Sequence, residues 1–169
     1  MRISLIVIGK TSTPWLKQGI DEYVKRLARY APFQYVELPD VKLRNARITH
    51  DQLKAAEAPV LLKAIGDADH VVLLDERGKQ PRSVELAQWI EDRHHRGIRH
   101  LALVVGGAYG FAPDVRAKAS EKLALSSLTF SHQMIRLLAV EQLYRAQTIL
   151  RAIAVSYTHL TLPTTYGVE

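Results

Sequence analysis

The side chains able to do chemistry fall in three short segments, each following an apolar run. They are Leu74-Asp75-Glu76-Arg77-Gly78, Gly106-Gly107-Ala108-Tyr109-Gly110, and Leu125-Ser126-Ser127-Leu128-Thr129-Phe130-Ser131-His132. The glycines of the second segment let backbone approach a ligand closely, or else simply make a tight strand-to-helix turn. Their spacing is not G-x-G-x-x-G, so a nicotinamide site is a weak reading. Ser126, Ser127, Thr129 and Ser131 offer hydroxyls to a polar ligand, and Ser131 suits a helix cap equally well. His132 and Arg136, four residues apart, share a helical face. They could form a general base beside a cation, although a lone His in this setting is more often structural. Glu141 and Arg145 have the order of an i,i+4 helical ion pair. Asp75 and Glu76 are adjacent at a strand end and point apart, so a shared carboxylate site is not expected. His94, His95 and His100 lack metal-ligand spacing, and the chain has no cysteine. No thiolate chemistry, disulfide or metal centre is therefore expected.

The elements that must carry these segments alternate along the chain. Short apolar runs give strands near 2–8, 33–38, 70–75, 99–105 and 123–128, with amphipathic stretches between them, the pattern of a βαβ architecture with a largely parallel sheet. Thr13 and Pro14 open a first helix, expected to run to about Tyr30, with Leu16, Ile20, Tyr23, Val24 and Leu27 as its apolar stripe. A capping box at Thr49–Gln52 opens a second, which Pro59 is expected to divide. Residues 39–48 between them read as a basic loop. Ser83 is expected to cap a third helix ending at Gly97. Pro113 and Asp114 begin a short helix, and His132 to Arg151 form a long final one whose apolar positions cover more than one stripe. That breadth implies burial on several sides, by the domain and by a second subunit. In this architecture ligands gather at the carboxyl ends of strands, where all three segments lie.

A chain of 169 residues with 47% hydrophobic and 24% charged composition suits one globular domain. No apolar run approaches the roughly 18 residues of a membrane span, and the N-terminus lacks a signal-peptide pattern, so a cytoplasmic protein is expected. The net charge is +6 and the pI about 9.7, the footprint of a polyanion-binding protein. Residues 1–50 hold nine Lys or Arg against four Asp or Glu. This basic group either meets nucleic acid or solvates a helix face.

Taken together, VVLLDERGK, LVVGGAYGF, LALSSLTFSHQMIRLLAVEQLYRA and the N-terminal VIGK…W…GIDEYVKRL resemble the RlmH family over about residues 1–151. These are small bacterial SPOUT-class methyltransferases that methylate N3 of a pseudouridine in 23S ribosomal RNA. The resemblance implies a mostly parallel α/β sheet with helices on both faces, a C-terminal deep trefoil knot and a homodimer. Its cofactor would be S-adenosyl-L-methionine, held by Leu74, Gly107 and the run Ser126, Ser127, Leu128, Thr129, Phe130 and Ser131. The family's His-x-x-x-Arg falls on His132 and Arg136, expected as base and electrostatic stabiliser. The partner would be 23S rRNA of the assembled ribosome, with neither DNA nor membrane.

RlmH chains end soon after the last helix in Arg-Gly and a short Tyr-His tail that takes part in the active site. Here Arg151-Ala152 leads into a different segment, 152–169, expected to be poorly ordered, in which Tyr157 and His159 are separated by Thr158. Two alternatives go with that departure: a SPOUT methyltransferase acting on another RNA nucleotide, and a catalytically impaired homologue that binds ribosomes.

Overall fold

The computed structural model describes residues 1–44 and 47–159, with 154–159 known by backbone course alone. Five strands form one all-parallel sheet: β1 (Arg2–Ile8), β2 (Phe33–Leu38), β3 (His70–Lys79), β4 (His100–Val105) and β5 (Glu121–Leu123), in spatial order β2-β1-β4-β3-β5. The helices are α1 (Pro14–Ala28), α2 (His50–Ile65), α3 (Ser83–His95), α4 (Pro113–Lys118) and α5 (Met134–His159).

Alternation along the central strands divides the core between the two faces of the sheet. Ile3, Leu5, Val7, Leu101, Leu103 and Val105 point to the side covered by α1, α3 and α5, where they meet Leu16, Ile20, Ile90, Val140 and Leu143. Ile6, Ile8, Ala102, Val104, Val71 and Leu73 point to the other side, against Ala58, Leu61 and Ile65 of α2 and Val115 of α4. Burial on both faces explains why β1 and β4 read as continuous apolar runs rather than alternating ones. Helix α5 lies between α1 and α3.

Several boundaries differ from the sequence expectation. Thr49 and Gln52 do form the capping box, but Pro59 sits inside α2 without dividing it. Proline removes the N–H that would bond the carbonyl of Ala55, and both residues are exposed, so water can satisfy that oxygen. Ser83 is the first residue of α3 rather than its cap, and Glu85 Oε2 accepts from the N–H of Arg82 at 2.7 Å. Strand β5 starts at Glu121 and ends at Leu123, so residues 124–128, expected as strand, belong to the following loop. The last helix runs on past Arg151 to His159. The side chains of Tyr157 and His159, and all of 160–169, lie outside the described residues.

Strand β3 is longer than expected because it leaves the sheet and returns. Its pairing with β5 shifts between Leu74 and Lys79, both of which face Leu123, while residues 75–78 loop outward. The Ala124 N–H then donates to the Lys79 carbonyl at 2.8 Å. A methyl group on Gly78 would lie 2.6 Å from the Leu123 nitrogen, so only glycine lets the outward loop cross β5 this closely.

Candidate functional site

The three segments that carry polar chemistry meet at the carboxyl edge of β4, β3 and β5. They enclose a cavity of about 350 Å³ lined by Leu74–Arg77, Val105–Phe111, Arg116, Leu123–Ser126, Leu128–Phe130, His132 and Ile135. Its size falls in the range of small-molecule sites.

Polar contacts hold the walls together. Asp75 accepts from the Arg77 N–H at 2.9 Å and from Arg116 Nη1 at 2.9 Å, tying the first loop to α4. Burial pushes the Asp75 carboxyl up, but these two donors outweigh it and hold it below its usual range. Thr129 Oγ1 donates to Glu76 Oε2 at 3.0 Å, joining the first and third loops. Ser126 Oγ accepts from the Leu128 N–H within the third loop. In the second loop the Gly110 N–H donates to the Gly107 carbonyl, and the exposed ring of Tyr109 stacks on His50 of α2 at 3.6 Å.

The structure brings together Leu74, Gly107, Ser126, Leu128, Thr129, Phe130 and His132 around this cavity. Ser127 and Ser131 do not line it. Ser131 caps α5 instead, its Oγ accepting from the Met134 N–H at 3.1 Å. Arg136 also lies away from the cavity wall and is fully buried. Its Nη2 donates to the Ile8 carbonyl at 2.7 Å, its Nη1 to the Gly9 carbonyl at 2.8 Å and Thr11 Oγ1 at 3.1 Å, and its Nε to the His132 carbonyl at 3.0 Å. Those bonds pin the start of α5 to the end of β1. This placement differs from that expected of a stabiliser reaching the substrate, because the length of the arginine side chain carries its donors down to the β1 carbonyls.

His132 is partly buried. Desolvation lowers its pKa, the nearby Arg136 guanidinium lowers it further, and the Asp40 carboxylate opposes both without cancelling them. The imidazole is thus held neutral near pH 7, the form a general base requires.

Two acidic residues escape the sequence reading. Asp40, after β2, lies against Gly9 and influences both His132 and Glu57. Glu57, on the inward face of α2 with Ala58 and Leu61, lies against Gly107 without lining the cavity. The available signal for Glu57 was a carboxylate at a core-facing helical position. Among the described residues no group of three or more His, Asp or Glu side chains is arranged to hold a metal ion, and no helix is long and apolar enough to cross a membrane.

The lining fits S-adenosyl-L-methionine: Leu74, Leu125 and Ile135 offer an apolar bed for an adenine ring, and the glycine loop exposes backbone at close range. Comparison with known proteins identifies the family. A family model described as predicted SPOUT methyltransferase matches residues 1–154. A protein of Parabacteroides distasonis named ribosomal RNA large subunit methyltransferase H is 46% identical over 151 residues, covering 89% of this chain and 95% of its own. The protein of the same name from Cytophaga hutchinsonii is 43% identical over 151 residues, covering 89% and 96%. Among solved structures, a probable methyltransferase from Bordetella pertussis Tohama I superposes with a TM-score of 0.53 at 12% identity, covering 86% of this chain and 96% of that one. A probable methylase family protein from Haemophilus influenzae Rd KW20 does so with a TM-score of 0.51 at 14% identity, covering 96% and 72%. The two structures speak to the fold alone. The family match along residues 1–154, with over two-fifths identity to relatives aligned along nearly their whole length, makes this chain a member of the SPOUT methyltransferase family.

Proposed function

We propose that this protein methylates N3 of a pseudouridine in 23S ribosomal RNA of the assembled ribosome, as a cytoplasmic homodimer. The observation that carries the reading is the convergence of three loops on one cavity with His132 in its wall, in a chain so like proteins named ribosomal RNA large subunit methyltransferase H. Leu74, Gly107 and the run from Ser126 to Ser131 would hold S-adenosyl-L-methionine, Ser127 and Ser131 through the course of the loop rather than through side chains in the cavity wall. The close crossing at Gly78 fits the trefoil knot that this reading includes. The catalytic unit would be residues 1–151.

When bound, S-adenosyl-L-methionine supplies a methyl group on a cationic sulfonium, an electrophile whose leaving group needs no protein acid. The nucleophile is the harder half of the problem, since N3 is an imide nitrogen carrying a proton. His132 takes that proton as the N3–methyl bond forms, and its lowered pKa keeps it free to do so. Arg136 acts through His132, fixing its backbone and disfavouring its protonation, and is a positioning residue on this geometry. The loops align the reactants and exclude water. The basic N-terminal third meets RNA phosphates, while the shape of the ribosome supplies selectivity.

His132→Ala should bind S-adenosyl-L-methionine with unchanged affinity in calorimetry, yet lose about 10²- to 10⁴-fold in turnover on ribosomes, the range for removal of a general base. Full turnover in that variant would remove the assignment.

A further inference from the structure

Glu57 has only 8% of its surface accessible, and its carboxylate makes no hydrogen bond or ion pair with any described residue. The carboxylate oxygens are not sealed from solvent, so this acceptor on an otherwise buried side chain is open to a donor from outside the chain. Its position narrows what that donor can be. A methyl group on Gly107 would lie 2.7 Å and 2.8 Å from the two carboxylate oxygens, so Glu57 packs against the second loop. It does not line the cavity over β4, β3 and β5. It belongs to the neighbouring half of the carboxyl edge, with Asp40 after β2 and Gly9 after β1. His132 stands at the junction, in the cavity wall yet within reach of the Asp40 charge.

A methyl donor over one half of the edge leaves the other half for the target base. Pseudouridine carries an N1–H where the ring of uridine presents C5–H, and N1 and N3 flank the same C2 carbonyl. An acceptor beside the base can therefore engage N1–H while N3 faces the methyl group. We propose that Glu57 accepts the N1–H of the target pseudouridine and so selects it over uridine; this rests on the function proposed above. Burial raises the carboxyl's pKa and the Asp40 charge adds to this, in keeping with a group awaiting a donor. Discrimination follows because uridine would leave that acceptor unpaired.

The test compares ribosomes carrying pseudouridine with ribosomes carrying uridine at the methylated position. Glu57→Met removes the acceptor at similar length. It should melt no lower than the wild type, bind S-adenosyl-L-methionine within twofold of it, and lose on the order of 10- to 100-fold in kcat/KM on pseudouridine with little change on uridine. Glu57→Gln keeps a carbonyl oxygen and should restore part of the preference. An unchanged pseudouridine-to-uridine ratio in both variants would overturn the proposal. So would a loss confined to cofactor affinity, which would assign Glu57 to the donor's ammonium group instead. A wild type that methylates neither ribosome would fail the underlying function, whereas a wild type active on pseudouridine with indifferent variants fails this inference alone.

Discussion

At the scale of single residues, the function proposed above depends on one imidazole kept neutral by its surroundings. Burial and the Arg136 guanidinium both disfavour protonated His132, so its pKa lies below the ordinary 6.5. The competent form of a general base is the neutral one, so lowering the pKa extends activity toward acid. We expect kcat/KM on ribosomes to be level through neutral pH and to fall with falling pH only below 6.5. An acid limb centred above 6.5 would show that the environment of His132 does not act in this way. Arg136 itself was legible only in part. The His-x-x-x-Arg spacing put both residues at the head of one helix, but the four bonds to β1, Thr11 and His132 depend on where α5 lands on the sheet. Glu57 carried only its core-facing helical position as a signal, because a lone Glu in an amphipathic stretch reads as solvated until tertiary packing sets Gly107 against it.

At the scale of elements, the site is built where strands stop. The segment in the outward loop of β3 and the one after β4 could be located because apolar runs end abruptly in Asp, Glu or Gly, and the ends of such runs are where these folds bind ligands. The third was blurred because Leu125 and Leu128 continue the apolar texture of β5 beyond its last pairing at Leu123. Pro59 misled in the other direction, since an exposed helical face tolerates a missing N–H. The return of β3 at Lys79 had no periodic signature, and the crossing it makes is a position of high sensitivity. Gly78→Ala would drive a methyl group to 2.6 Å from the backbone of Leu123, which neither strand can relieve by rotating a side chain. We expect a loss of about 2–4 kcal/mol in urea unfolding, at the upper end of single substitutions. A variant within 0.5 kcal/mol of the wild type would mean that the loop is free to move off β5.

At the scale of the whole molecule, a parallel sheet covered on both faces leaves its carboxyl edge as the working surface, and nine basic residues in the first fifty stand on the same chain segment that builds β1 and β2. If these residues neutralise RNA phosphates, ribosome binding must weaken as salt displaces them. With roughly four to six such contacts, affinity should fall by about 10²-fold or more between 50 and 200 mM salt. A flat response would place RNA recognition elsewhere.

In the proposed function, the cavity and His132 together transfer a methyl group to one imide nitrogen of ribosomal RNA. The most direct measurement incubates the full chain with S-adenosyl-L-methionine labelled in its methyl group and assembled ribosomes lacking the modification, and maps the labelled nucleotide. Label confined to N3 of a pseudouridine in 23S RNA is the predicted result, and would also show that the segment after Arg151 is compatible with turnover. Label on a different nucleotide, or none from protein shown to bind S-adenosyl-L-methionine, would contradict it.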